Sequence, residues 1–238
     1  MIFKYNNSSY LINFKLFPTV CFFIALLILL SLSTWQFKRL VWKTDLIETR
    51  ISMFEGQPKN LSKLDDPTNR EFQKVFVRGK LVNDYEFFMP ALSKNGNNGY
   101  HVLVPIQIKK DYHIIYDTGW IPLHKREKNK REKNINNSEQ EFSAVVRIPG
   151  RKGYFQPDND SKKNFWFFVD PVHMSENLNL NIENTFYLEA VENGPGGYPI
   201  GNQTRIYLRN NHLQYALTWL FMALGMVGVF FFASIRKV

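Results

Sequence analysis

The stretch LFPTVCFFIALLILLSLSTWQF, residues 16 to 37, contains no charged residue and decides the fold class. A helix needs about 20 residues to cross the hydrocarbon core of a bilayer. The run is too long for the apolar region of a cleaved signal peptide, and it lacks a small-x-small cleavage site. A second uncharged run, NNHLQYALTWLFMALGMVGVFFFASI, covers residues 210 to 235. The sequence therefore predicts two retained membrane-spanning helices, one near each end.

The segment between these runs, residues 38 to 209, is polar and predicts one domain on one side of the membrane. It holds all 21 acidic residues and 26 of the 30 basic ones. Residues 1 to 15 and 236 to 238 are then short cytoplasmic tails. Basic residues flank both ends of both runs, and a loop this long escapes the positive-inside rule, so charge alone leaves the orientation undecided. The mixed charges also predict no nucleic-acid partner.

Eight short runs in the middle segment are rich in β-branched and aromatic residues and predict strands. They are VFVRGKLV, YEFFMPAL, YHVLVPIQI, YHIIYDTGWI, FSAVVRI, NFWFFV, TFYLEAV and TRIYLR. The predicted fold class is an α+β membrane protein, in which two transmembrane helices flank one β-rich sandwich or partly open barrel.

Four further features of this segment have local predictions. The first helix continues past its apolar part until Gly56 offers a cap, and Asp170 caps a short helix through Leu178. The twice-repeated unit KREKN, residues 125 to 134, predicts a solvated surface loop. Residues 158 to 160, DND, resemble a cation loop but lack the glycine and distal glutamate of an EF-hand, so a turn is preferred.

The sequence carries none of the common catalytic signatures, such as GxSxG, HExxH or a phosphate loop. Its single cysteine, Cys21, excludes disulfides within the chain and Cys-based zinc sites. Of the five histidines, the four before His212 are most simply structural. An enzyme with an unrecognised exported site therefore stays open as an alternative at this point.

His212 differs from the other histidines because it stands where the β-rich segment gives way to the second span. On a helix, His212, Tyr215, Trp219, Met222 and Met226 form one stripe at spacings of three and four. An imidazole at this position is a competent axial ligand for haem iron. The alternative is an interface anchor whose stripe packs against the first span.

Two arginines near His212 are candidates for binding an anionic group. On an extended TRIYLR strand, Arg205 and Arg209 would point to the same face. We expect that face to meet lipid phosphates or haem propionates, with ordinary interface anchoring as the alternative. Gly225 and Gly228 lie on a neighbouring face of the second span and favour the approach of another helix.

Several segments of this sequence closely resemble the Surfeit locus protein 1 family, called Shy in yeast. They are WQFKRLVWKTDLI, GYHVLVPI, GWIP, FQPDNDSKKNFWFFVD and, most specifically, PIGNQTRIYLRNNHLQYALTW. The resemblance covers nearly the whole chain in order. It departs from the family pattern at Thr34, where a glycine usually precedes the WQ pair, and at Thr118, where an arginine usually precedes GW.

The resemblance implies a non-enzymatic factor that assembles haem-copper cytochrome c oxidase, at the stage when haem a enters the catalytic subunit. It implies a bacterial inner-membrane protein whose large domain faces the periplasm. Its expected partners are the oxidase catalytic subunit, the haem a synthesis machinery and membrane lipid. The family's proposed haem ligand corresponds to His212. A membrane scaffold that binds no cofactor is the main alternative.

Overall fold

The computed structural model describes residues 2–5, 8–135 and 137–237. The chain forms two compact units, a helical unit of residues 1–48 and 208–238 and a β-rich unit of residues 49–207. The α-helices are α1 (Leu16–Glu55), α2 (Pro171–Leu178) and α3 (His212–Ser234). The strands are β1 (Ile2–Tyr5), β2 (Ser8–Ile12), β3 (Lys59–Asn60), β4 (Lys74–Leu81), β5 (Phe87–Leu92), β6 (Asn98–Lys109), β7 (Tyr112–Pro122), β8 (Glu139–Arg147), β9 (Tyr187–Ala190) and β10 (Ile235–Lys237).

α1 and α3 are both long and apolar enough to cross a membrane, as the two uncharged runs predict. At the end of the apolar part of α1, the guanidinium of Arg39 lies over the rings of Trp35 and Trp42, 5.9 and 4.7 Å from their centroids. Aromatic and basic side chains of this kind are typical of a membrane–water interface. α1 then continues to Glu55, and the N–H of Gly56 bonds to the Ser52 carbonyl, which confirms the predicted extension.

α1 and α3 pack antiparallel within the helical unit. Near one end of the pair, the Ser33 hydroxyl donates a hydrogen bond of 3.0 Å to the Ala216 carbonyl. Towards the other end, the rings of Phe22 and Phe230 stack with centroids 4.0 Å apart. Ala216 is fully buried, because a small side chain at this position lets the two backbones approach closely.

The two chain ends form a small antiparallel sheet in the helical unit. β2 pairs with β1 on one side and with β10 on the other. Ile12 pairs with Ile235, so the sheet begins at the residue where α3 ends. The predicted tails are therefore paired with each other in their backbones.

The β-rich unit is built on a five-stranded barrel, which confirms the predicted class. The sheet order is β3-β4-β8-β9-β7-β6-β5, and a further pairing of β4 with β6 closes five of these strands on themselves. The closing pairs are Lys80 with Gln107 and Leu81 with Ile106. β7 and β9 are parallel, and every other pair in the closed ring is antiparallel.

Alternation along the strands divides the apolar side chains between two cores. Val102 and Val104 of β6 belong to the core inside the barrel, while Leu103 between them belongs to a second core outside it. The outer core contains Trp166 and Met174, both fully buried. α2 contributes Met174, and its N-cap is the predicted Asp170, whose carboxylate accepts from the His173 N–H.

Two of the eight predicted strands are wrong. NFWFFV has the residue types of a strand, but only Phe165 makes a bridge, with Asp160, while the Trp166 N–H bonds to Phe88 and the indole fills the outer core. TRIYLR has no strand, since residues 201–211 are irregular. The residue types predicted ladder pairing for NFWFFV, whereas the structure uses Trp166 to fill the outer core.

The KREKN segment is not wholly solvated, which corrects the prediction of a plain surface loop. A 3-10 turn, Leu123–Lys125, leads into it, and a further 3-10 stretch, Lys128–Asn134, is kinked at Arg131. Arg131 is buried and forms a bidentate ion pair with Glu86, including an Nη1–Oε1 contact of 2.8 Å. The pair lines a cavity of about 300 Å³, together with Tyr116 and Thr118.

Candidate functional site

His212 is the first residue of α3 and lies against α1. Its Nδ1 is 2.7 Å from the side-chain oxygen Oε1 of Gln36. The imidazole is half-buried, and the Ser33–Ala216 hydrogen bond lies one helical turn further along the pair. The side chain that the sequence singled out is therefore held between the two helices that could cross the membrane.

The contact with Gln36 determines which nitrogen of His212 is available. An amide oxygen can only accept a hydrogen bond, so Nδ1 of His212 carries the hydrogen and donates it. In the neutral imidazole, Nε2 then keeps its lone pair. A histidine that ligates a metal usually donates its other N–H in this way. With Nδ1 hydrogen-bonded to Gln36, Nε2 is the nitrogen of His212 that could bind a metal ion.

The predicted stripe on α3 is largely open. Tyr215 and Met222 are each about half exposed, at 53% and 51%, and Trp219 is half-buried. The small residues Ala216 and Ala223 occupy the buried face instead. About half of the surface of Tyr215 and of Met222 is therefore open, and the stripe is not buried against α1 as a whole.

Gly225 and Gly228 are not used in the packing of α3 against α1. A Cβ placed on either glycine would meet no atom within 4 Å. The surface of α3 around them is open for another helix, as the sequence favours, and none of the residues that the structure describes occupies it.

The two candidate arginines lie in different units. Arg205 belongs to the β-rich unit and Arg209 to the helical unit. Because residues 201–211 form no strand, the argument that alternation points both side chains to one face is wrong. Both side chains are exposed, and neither forms a salt bridge with a described residue. Each arginine stays a separate candidate for an anionic group.

A second polar constellation lies in the β-rich unit. Nδ1 of His101, on β6, is 2.6 Å from Oδ2 of Asp117 on β7. The other carboxylate oxygen of Asp117 accepts from the Gly119 N–H at 2.9 Å. On β9, Glu189 stands beside Asp117 in the sheet register and binds Arg147 and Thr204. These groups form a mostly buried row of charges across neighbouring strands.

The pKa of His101 follows from competing effects of this environment. Burial lowers the pKa, because the charged imidazolium loses its hydration. The negative charge of Asp117 and its hydrogen bond to the ring outweigh that effect, with a smaller contribution from Glu189. The pKa of His101 is therefore raised above its ordinary value, and the pair favours the protonated imidazole.

Comparison with known proteins places the chain in a family. The model of the SURF1 family matches residues 23–224, which include most of α1, the first half of α3 and the whole barrel. The chain belongs to the SURF1 family. Its similarity thus extends over the His212 site and the β-rich unit together.

Relatives in the SURF1 family come from animals and bacteria. Surfeit locus protein 1 of Takifugu rubripes is 29% identical over 229 residues, which cover 87% of this chain and 93% of that protein. The SURF1-like protein of Rickettsia prowazekii is 28% identical over 225 residues, covering 92% of this chain and 88% of that protein. The SURF1-like protein of Drosophila melanogaster is 29% identical, covering 79% and 68%.

Membership of the SURF1 family implies a role in cytochrome oxidase assembly, in a family of assembly factors rather than enzymes.

Among the described residues, no group of three or more His, Cys, Asp or Glu side chains could hold a metal ion. Asn159 and Asp160, at the loop that resembles a cation site, accept backbone hydrogens of Phe167 and Lys163. These bonds confirm the turn interpretation.

The two threonines at the departures from the family pattern both bond to nearby backbone carbonyls. The Thr34 hydroxyl donates to the Leu30 carbonyl within α1. The buried Thr118 hydroxyl donates to the Val102 carbonyl on the neighbouring strand. Both side chains therefore satisfy their hydrogen-bonding groups on the backbone.

Sequence reasoning missed two polar contacts, the one between Gln36 and His212 and the one between His101 and Asp117. Gln36 belongs to the WQ pair that supported the family resemblance, but its contact with His212 spans 176 positions and leaves no local pattern. His101 and Asp117 lie on the adjacent strand runs YHVLVPIQI and YHIIYDTGWI. Pairing those two runs as a hairpin would have placed the imidazole and the carboxylate on neighbouring strands.

Proposed function

We propose that this SURF1 family member helps to assemble haem-copper cytochrome c oxidase by carrying haem a to the catalytic subunit. The observation that supports this proposal is the hydrogen bond between His212 and Gln36. It prepares Nε2 of a half-buried histidine, at the end of an apolar helix, as a metal ligand.

The residues near His212 provide groups that suit haem a as cargo. His212 supplies the axial nitrogen, while Tyr215 and Trp219 supply aromatic surface for a macrocycle. The apolar body of α3 suits the hydrophobic tail of the haem. Arg209 offers a cation for a propionate carboxylate. A single strong protein ligand also suits a carrier, because a second one would oppose release.

Arg205 is a separate candidate for recognising an anionic group, either a haem propionate or a lipid phosphate. Its side chain is exposed and stands near Thr204 and Tyr207 at a groove of the β-rich unit. Lys74 and Lys94 line the groove as well, against one acidic residue, Glu55, so its net charge is positive and favours anions.

The proposed location is a bacterial inner membrane, crossed by α1 and α3, with the barrel in the periplasm. The proposed partners are the oxidase catalytic subunit, the haem a synthesis machinery and membrane lipid. The two apolar helices and the bacterial relatives support the membrane assignment, and the resemblance to the family supports the orientation.

The test is an absorbance spectrum of the full chain purified from cells that make haem a. His212→Ala and His212→Met should abolish or shift the haem spectrum and lower oxidase assembly, while insertion into the membrane stays normal. His124→Ala is the control, since His124 lies in a 3-10 helix of the β-rich unit. A wild-type spectrum in His212→Ala would remove this histidine from haem binding.

The second candidate function is a scaffold that binds no cofactor. Ser33 and Gln36 both contact α3, and these contacts hold the two helices together whether or not haem binds. They therefore also suit a scaffold. A scaffold would purify without haem, and His212→Ala would then affect oxidase assembly only if the helix pair were disrupted. The third candidate, an enzyme with an exported site, requires a hydrolytic or transferase activity in the purified protein.

A further inference from the structure

We infer that Gln36 is the positioning residue of the His212 site, and that its amide oxygen fixes the ring so that Nε2 faces the ligand position. The inference rests on the proposed function, since it concerns the same histidine. It adds a role for a residue on α1, whereas the proposed ligand itself lies on α3.

The geometry places Gln36 and His212 on a shared line of contacts between two helices. Gln36 lies three residues after Ser33 on α1, and His212 lies four residues before Ala216 on α3, so each pair shares one helix face. The Ser33 hydroxyl binds the Ala216 carbonyl at 3.0 Å, and Gln36 Oε1 lies 2.7 Å from His212 Nδ1. The first contact sets the spacing at which the second one forms.

A third polar contact borders the site on its outer side. The Asn210 side-chain amide donates to the Thr44 hydroxyl at 3.3 Å, two residues before His212. The backbone that carries His212 is thereby tied to α1 on both sides of the imidazole. The Asn210 side chain and the Ala216 carbonyl thus contact α1 on either side of His212, and the bond to Gln36 restrains the ring between them.

The neutral charge of Gln36 also has a chemical consequence. A carboxylate partner, such as the one that Asp117 gives His101, raises the basicity of the ring and strengthens its bond to a metal. An amide oxygen orients the ring with less polarisation. Gln36 therefore makes His212 an oriented ligand of moderate strength, which suits a site that must release its cargo.

The first experiment reads the tautomer of the full chain without haem, in lipid nanodiscs. Histidine labelled with 15N distinguishes Nδ1–H from Nε2–H, and His212→Ala identifies the signal. We expect Nδ1–H in the wild type and loss of that preference in Gln36→Leu. Gln214→Leu is the matched control, because Gln214 is exposed on α3 only two residues from His212. An Nε2–H form in the wild type would overturn the inference.

The second experiment titrates the same proteins with haem. Loss of a residue that orients a metal-ligating histidine typically weakens binding by about 10- to 100-fold. We expect this loss in Gln36→Leu, recovery in Gln36→Glu, which keeps an acceptor oxygen, and no loss in Gln214→Leu. Equal affinity in Gln36→Leu and the wild type would overturn the positioning role.

The two experiments separate failure of this inference from failure of the proposed function. If His212→Ala bound haem like the wild type, the proposed ligand would be wrong. The tautomer of the haem-free protein would still decide whether Gln36 orients the ring. If His212→Ala lost haem and Gln36→Leu did not, the ligand would stand and the positioning role would fall.

Discussion

The imidazole Nδ1 of His101 lies 2.6 Å from Oδ2 of Asp117, and the two side chains are only 15% and 4% exposed. The pair joins the neighbouring strands β6 and β7 in the wall of the barrel, and its two residues are 16 positions apart in the sequence. Glu189 and Arg205 also act electrostatically on the ring, with opposite signs. The charge state of His101 is therefore coupled to the stability of the β-rich unit.

This coupling predicts how stability depends on pH. The pKa of His101 is raised in the folded protein, so its stabilisation is fully present below the ordinary value of 6.5 and is lost as the pH rises through the folded pKa. The melting temperature of the full chain should therefore fall over that range, by about 2–4 °C for each kcal/mol lost.

The Asp117→Asn variant tests the origin of this dependence. Without the carboxylate, burial alone acts on the His101 pKa and lowers it. The fall in melting temperature above pH 6.5 should then be smaller than in the wild type, and His101→Gln should show the same flattening. An unchanged pH profile in both variants would mean that another group controls it.

Arg131 and Glu86 make a buried ion pair, with side chains 3% and 10% exposed. Removing one partner leaves the other charge buried, which typically costs about 3–5 kcal/mol. Arg131→Met should therefore lower the stability of the full chain strongly in thermal unfolding. Lys130→Gln is the control, because its pair with Glu127 is exposed and such pairs contribute about 0–1 kcal/mol.

The double variant Arg131→Met, Glu86→Gln tests whether the cost comes from the unpaired charge. Removing both charges leaves no buried ion, so part of the stability should return. A double variant as unstable as Arg131→Met alone would show instead that the packing of Arg131 against the barrel matters more than its charge.

Residue patterns predicted the spans, the barrel class and six of the strands because these features repeat locally. The uncharged runs predicted the two long helices. Alternation along a strand determines which core each side chain enters, as the sequence Val102, Leu103, Val104 shows. NFWFFV was predicted wrongly because the same apolar residues suit a strand and an irregular segment that fills a core. The period alone cannot tell these two uses apart.

The candidate site was predictable only in part, for a related reason. His212 stood out because a histidine at the start of an apolar helix is unusual, and the family resemblance supported it. Gln36 and Asp117 act through contacts formed by packing, and Arg131 reaches Glu86 from the second KREKN unit. An exposed-looking repeat gave no sign that one of its arginines would be buried.

The packing of α3 predicts opposite effects at two small residues. Ala216 is fully buried at the contact with α1, so Ala216→Leu should separate the helices and break the Ser33 hydrogen bond. Gly225 faces open space, so Gly225→Leu should leave the helix pair intact. Disulfide cross-linking between cysteines placed at Phe22 and Phe230 measures the pairing, in a Cys21→Ser background.

The second arm of this prediction concerns oxidase assembly. If a partner helix docks at Gly225, Gly225→Leu should reduce oxidase assembly in cells even though cross-linking is normal. Ala216→Leu should reduce both. Loss of cross-linking in Gly225→Leu would contradict the open surface that the structure shows around this glycine.

The last prediction concerns the orientation of the chain in the membrane. Asn95 lies at the exposed β5–β6 turn of the β-rich unit, and Asn13 lies just before α1. The uncharged part of α1, residues 16 to 37, spans about 33 Å as a helix, enough to separate them by a bilayer. If the barrel is periplasmic, Asn95→Cys in a Cys21→Ser background should react with a membrane-impermeant maleimide in intact cells, whereas Asn13→Cys should react only after lysis. The turn at Asn95 is a better labelling site than the KREKN segment, because changes in that segment could disturb the buried pair of Arg131 with Glu86. The reverse labelling pattern would place the barrel in the cytoplasm, and with it the outer end of α3 where the His212 site is proposed to receive haem.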